Sequence, residues 1–137
     1  MVGVNPVVID ANVVIRFLDA LHPHHAAAVD LVEKLALEDV VIHPLTLAES
    51  LVGAIRAGDE AGALADIREV IGARDFVESQ SPEQWARRVA RLRAETSLRT
   101  PDAVVLDAAR ILGATVATYD LALAQAAQTE GRCYFQP

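Results

Sequence analysis

The sequence predicts an α/β domain of three layers, α/β/α, around a central and mainly parallel sheet. Three observations carry this. The apolar runs at 7–9 and 40–42 are continuous rather than alternating, as strands buried on both faces of a parallel sheet are. Such runs alternate along the chain with stretches whose apolar residues recur at helical spacing, which implies right-handed crossovers and helices on both faces. The 137 residues are 53% hydrophobic with mean hydropathy +0.27, enough for one core and one domain spanning 1–137, and no repeat, linker or low-complexity tract divides them.

Taken in order, Val7-Val8-Ile9 is a strand that runs into Asp10, and Val13, Val14, Phe17 and Leu18 then place a helix over 11–20. His22, Pro23, His24 and His25 punctuate the chain before a second helix over 26–38. Pro23 marks these histidines as a turn rather than a metal site. Val40-Val41-Ile42 is a strand closed by His43, and Pro44 opens a third helix whose stripe is Leu45, Ala48, Val52 and Ile55. Glu49 sits one position off the centre of that stripe. A fourth helix covers 60–71 with Leu64, Ile67, Val70 and Ile71 on one side, closed by Gly72. Phe76-Val77-Glu78 reads as a third strand.

Ser81-Pro82-Glu83 starts a helix through Trp85 to about residue 95, and Thr100-Pro101-Asp102 starts the next. On that wheel Asp102 shares a face with Val105, Leu106 and Ala109, whereas Asp107 lies about 140° away, on the side expected to face solvent. Thr115 to Thr118 forms a fourth strand ending in Tyr119-Asp120, followed by a helix over 121–128. Cys133-Tyr134-Phe135 offers a last short strand.

Composition narrows the function. No apolar run reaches the roughly 18–20 residues of a membrane span, the start lacks a signal-peptide pattern, and the single cysteine, Cys133, suits a reducing compartment, so a cytoplasmic protein is expected. A net charge of −7 opposes tight phosphate binding. Its distribution matters more than its sum, because Arg87, Arg88, Arg91, Arg93 and Arg99 fall within thirteen residues and arginine suits bidentate phosphate contact. The segment is either a solvated helix face or an RNA track.

Four acids stand out. Asp10 and Asp120 end strands, where ligands of open α/β sheets collect, and Glu49 and Asp102 lie on or near inward helix faces. Each has a plain structural explanation: helix caps for Asp10 and Asp120, a helix dipole for Asp102, an Arg partner for Glu49. Converging on one end of a sheet, however, four carboxylates repel unless a cation sits among them. All-oxygen donors point to Mg2+ or Mn2+ rather than zinc, and such an ion suits phosphodiester hydrolysis.

On Val-Ile-Asp-Ala-Asn at 8–12, Leu-Ala-Glu at 47–49, Pro-Asp-Ala at 101–103 and Ala-Thr-Tyr-Asp at 117–120, the chain resembles PIN-domain ribonucleases of the VapC toxin type, over essentially its whole length. The resemblance implies a PIN-like fold, Mg2+- or Mn2+-dependent cleavage of single-stranded RNA, a homodimer, and an antitoxin whose tail enters the acidic pocket. It carries the catalytic and metal-holding roles onto Asp10, Glu49, Asp102 and Asp120, a hydroxyl role onto Thr118 and a polar role onto Asn12. Arg87, Arg88 and Arg91 are the candidate RNA contacts. Leu121 departs from the pattern, since many relatives carry a basic residue there.

Other functions fit less well. A phosphoacceptor receiver needs a late lysine, and the only lysine is Lys34. A dehalogenase-like phosphatase needs Asp-x-Asp, and here the triplet is Asp10-Ala11-Asn12. An RNA-processing nuclease outside a toxin–antitoxin pair, and a PIN-like interaction module without turnover, stay open as alternatives.

Overall fold

The computed structural model describes residues 5–137. Four strands, β1 (Pro6–Ile9), β2 (Asp39–Ile42), β3 (Arg74–Asp75) and β4 (Thr115–Ala117), form one parallel sheet in the order β3-β2-β1-β4. Helices α1 (Ala11–Leu18) and α2 (His25–Leu35) connect β1 to β2. Helices α3 (Pro44–Arg56) and α4 (Glu60–Ala65), with a π-helical turn at Asp66–Ile71, connect β2 to β3; α5 (Pro82–Glu95) and α6 (Thr100–Leu112) lead into β4. Helix α7 (Leu121–Thr129) follows.

Strand alternation sorts the core into two halves. Val8, Val41 and Val116 face α5, α6 and α7, with Leu92, Leu106 and Leu123 packed on them. Val7, Ile9, Val40, Ile42 and Ala117 face the other way, onto Val14 of α1, Leu35 of α2 and Ile67 of the π-turn. Both faces of the sheet are thus covered, which is the three-layer α/β/α architecture expected from the continuous Val/Ile runs. No described helix is long and apolar enough to cross a membrane.

Several local expectations are corrected. The third strand is Arg74–Asp75 rather than 76–78, locked to β2 by a two-pronged Arg74–Asp39 bridge at 2.7 and 2.8 Å; Phe76 adds only its N–H to the Ile42 carbonyl at 2.9 Å. Cys133-Tyr134-Phe135 makes a single bridge to Val116 instead of a strand. The helix over 60–71 changes to π geometry after Ala65, so Ile67 and Ile71 are buried while Val70 is 52% exposed. Helices α1 and α2 end earlier than expected, at Leu18 and Leu35.

In α3 the buried residues are Thr46 and Ser50, whose small side chains let the helix sit close to its neighbours. Ser50 Oγ donates to the Thr46 carbonyl at 2.7 Å, so burial leaves that hydroxyl satisfied. Of the expected stripe Leu45 packs on the core, whereas Val52 and Ile55 are about half exposed. The largest correction is Asp107. It is 4% exposed rather than on a wet face, because α6 is the central helix of its layer and every residue from Asp102 to Ala109 is buried.

Candidate active site

The chain runs from β1 outward through β2 to β3, then returns to pair β4 on the opposite side of β1. The carboxyl ends of β1 and β4 therefore flank the point where strand order reverses, the place where open α/β sheets form a crevice. Asp10 follows β1 and Thr118, Tyr119 and Asp120 follow β4. The Asp10 N–H donates to the Ala117 carbonyl at 3.0 Å, so sheet bonding itself sets the two loops side by side.

One hydroxyl ties these loops together. Thr118 Oγ donates to Asp10 Oδ2 at 2.7 Å and accepts the Asp120 N–H at 2.9 Å and Asn12 Nδ2 at 3.3 Å. Its one donor and two acceptor positions are all used, at 1% exposure. Asn12 completes the link, giving its second N–H to Asp10 Oδ2 at 3.1 Å and accepting the Tyr119 N–H at 3.1 Å. The structure thus gives Thr118 and Asn12 positioning contacts to Asp10. Asp10 Oδ1 accepts the Ala11 N–H at 2.8 Å, so of four lone-pair positions three are occupied and one, on Oδ1, is left for a ligand.

The electrostatics at this corner are unfavourable to charge. Asp10 is 5% exposed, and burial pushes its pKa up to about 6. Hydrogen bonds from Thr118 and Ala11 oppose the rise, and the charges of Asp102 and Asp120 add to it. Asp102, in the first turn of α6, is also raised, by burial and then by Asp120; Glu49, half-buried on α3, is raised by burial and then by Asp102. Asp120 caps α7 through the Leu123 N–H at 2.9 Å. Asp10, Asp102 and Asp120 thus bear on one another, and Glu49 joins them through Asp102.

Compensation is thin. Arg99 Nε stands 3.9 Å from Asp102 Oδ2 with its side chain 79% exposed, and it lowers the pKa of both Asp102 and Glu49. Sequence reasoning placed Arg99 in the basic cluster but missed this role, although its position three residues before Asp102 at the helix entry was the available signal. Among the described residues no three His, Cys, Asp or Glu side chains draw together tightly enough to clasp an ion alone. Mg2+ keeps several waters and takes only one or two carboxylates directly, so an open rim of desolvated, mutually repelling oxygen donors fits it chemically.

Of the basic candidates, Arg87 and Arg91 lie exposed on α5. Arg88 does not belong with them. Its Nε and Nη2 grip both oxygens of Asp107 at 3.0 Å and its other donors reach Glu78 and Gln80, leaving none for RNA. An open crevice of about 610 Å³ abuts Glu49, walled by Ile15 and Leu18 of α1, Val52 of α3 and Ala63 of α4.

Comparison with known proteins agrees with this fold. The PIN domain family profile matches residues 7–128. No curated protein matches the sequence. Among solved structures, the fold is similar to that of Mycobacterium tuberculosis VapC20, a sarcin–ricin-loop-cleaving toxin, with a TM-score of 0.65 and 19% identity over 96% of this chain and 99% of that one. It is similar also to a chain of Rickettsia felis VapBC2 bound to a promoter DNA fragment, with a TM-score of 0.59 and 14% identity over 85% of this chain and 88% of that one.

Proposed function

The chain belongs to the PIN domain family, and from that premise we propose that it is a metal-dependent endoribonuclease of single-stranded RNA, serving as the toxin of a toxin–antitoxin pair. The observation that carries this reading is the gathering of Asp10, Asp102, Asp120 and Glu49 near the β1/β4 switch point with, among the described residues, one exposed arginine 3.9 Å from Asp102 to balance them. Asp10, through its free Oδ1 position, Asp102 and Asp120 are the residues to hold Mg2+ or Mn2+, with Glu49 beside them. The ion supplies charge neutralisation at the phosphate and an acidified water.

The protein's own groups do the rest. Thr118 and Asn12 fix the Asp10 carboxylate, so its free lone pair points one way. Glu49, its pKa raised, is suited to take a proton from the attacking water. Arg99, exposed at the rim, can leave Asp102 for a phosphate oxygen. Arg87 and Arg91 track the strand farther out, and binding is weak and salt-sensitive because the protein carries −7.

The crevice beside Glu49 suits an antitoxin segment. Its walls are apolar, and Asp19, Asp59 and Asp66 line it as well, so a basic amphipathic tail is complementary. Association into a homodimer is part of the same reading, and light scattering on the isolated chain checks it. The activity test is cleavage of one labelled, unstructured RNA. Turnover is expected with Mg2+ or Mn2+, and none after EDTA or in Asp10→Asn and Asp102→Asn. Cleavage that survives EDTA overturns the proposal.

A further inference from the structure

Beyond β2 the chain builds a second feature on the same edge of the sheet. His43 follows Ile42 as Asp10 follows Ile9, and its Nδ1 accepts the Leu45 N–H at 3.0 Å, capping α3. With Nδ1 committed as an acceptor, the proton of the neutral ring sits on Nε2. Burial lowers the pKa of His43, against the pull of Asp107 and Glu78, and keeps the ring neutral. The ring lies nearly parallel to Trp85, at 15° with centroids 6.1 Å apart, and meets Phe76 edge-on at 5.5 Å.

These three rings, with Pro44 and Pro82, wall an open pocket of about 370 Å³, and Gln80 stands at its rim. That is near the lower end for small-molecule sites, the size class of a single flat ring system. Glu78, also at the rim, is paired with Arg88, which weakens its repulsion of a polyanion without cancelling it, since the same guanidinium also serves Asp107. Strand β2 is the hydrogen-bonded neighbour of β1, about 4.8 Å away, so pocket and acids share one continuous edge.

On the reading that the acids cut RNA, we propose that the His43–Phe76–Trp85 pocket holds one unpaired base of the substrate strand, upstream or downstream of the phosphodiester bond at Asp10. A base brings a flat face for the aromatic and proline walls and an acceptor edge for the His43 Nε2–H. Stacking of this kind tolerates sequence and requires an unpaired base, which selects single strands over duplex. The hydrogen bond at Nε2 adds a preference for bases that present an acceptor there.

Trp85 is the only tryptophan in the chain, so the native protein reports on this pocket directly. In EDTA, where nothing is cut, titration with a short single-stranded RNA is expected to quench its fluorescence saturably, and an abasic ribose-phosphate oligomer of equal length to leave it unchanged. With Mg2+ or Mn2+, Trp85→Leu is expected to raise KM roughly 5- to 100-fold and to move kcat far less, with Trp85→Phe recovering most of the loss. Quenching without cleavage supports the pocket while removing the nuclease reading. Cleavage with no quenching, or equal quenching by the abasic oligomer, overturns the pocket and leaves the nuclease reading standing; the aromatic wall then belongs to a protein contact. If Trp85→Leu fails to fold, the fluorescence titration of the unmodified chain decides alone.

Discussion

Helix α6 carries two buried aspartates five residues apart, and the molecule treats them in opposite ways. Asp107 is enclosed by a guanidinium that grips both of its oxygens and is itself held by Glu78 and Gln80. Asp102, 7% exposed, has only an exposed arginine at 3.9 Å and shares its surroundings with Asp10, Asp120 and Glu49. Both carboxylates have been taken out of water; one has been given a partner in return. A buried charge with a complete set of partners is architecture, whereas buried charges of one sign left facing one another mark where a cation or a substrate must enter.

The sharpest way to break this comparison is to remove the partner. Arg88→Met strands Asp107 and Glu78 and is expected to lower the unfolding free energy by about 3 kcal/mol or more, read from urea denaturation. Adding Asp107→Leu should recover a large part of that loss, because it removes the orphaned charge. A neutral Arg88→Met would place Asp107 in the same category as Asp102.

At the other site neutralisation should act with the opposite sign. Asp10→Asn is expected to stabilise the metal-free protein at pH 7.5 by on the order of 2 kcal/mol while abolishing cleavage. The pH dependence follows from the raised pKa. Between the ordinary carboxylate range and about 6 the folded state holds a proton that the unfolded state has released, so wild-type stability falls as pH rises through that window. The stability gap between Asp10→Asn and wild type should therefore be full above pH 6 to 7 and close toward pH 4. A gap that is constant with pH would show that Asp10 is only a helix cap.

Thr118→Val separates positioning from ligation. It leaves the Asp120 N–H and an Asn12 N–H without their acceptor inside the protein, and about 1–3 kcal/mol of stability is expected to go with them in thermal melts. Cleavage should fall as well, since Asp10 loses its shortest bond. The smallest effect belongs to the exposed arginines. Replacing Arg87 and Arg91 by Gln should change stability by less than about 0.5 kcal/mol, yet flatten the slope of log affinity against log salt by roughly one unit or slightly more.

Much of this molecule can be read from its residues, and the failures share a cause. Strands β1 and β2 announced themselves because burial on both faces leaves no polar position to confuse the pattern. The N-terminus of α5 did so because Ser81 and Pro82 punctuate it; Asp10 and Asp120 drew notice because each follows a strand and Asp102 because it opens a helix, whereas Glu49, midway along α3, had only its place beside the apolar stripe. The wheel failed at Asp107 because it equates a polar residue with a wet face, and α6 has almost none; only the distant Arg88 makes burial there tolerable. It failed at Val52 and Ile55 for the converse reason, since apolar residues were assigned inward when both are about half exposed and Val52 lines an open crevice. Arg88, read as an RNA contact, was one half of the same error.

The hydroxyl that joins β1 to β4 also sets how the site can move. The Asp10 amide is bonded to the Ala117 carbonyl across the sheet, so its proton cannot reach solvent unless β1 and β4 part, whereas the Asp120 amide is held by the Thr118 hydroxyl two residues earlier. Amide hydrogen exchange at Asp10 should be as slow as in the strands, reporting global opening, and exchange at Asp120 faster, reporting local fluctuation of the loop. Asp10 is then fixed on the slowest-opening part of the chain, and adaptation to different ligands falls to the elements around the crevice, where α3 gives way to α4 at Gly58 and the helix beyond changes pitch.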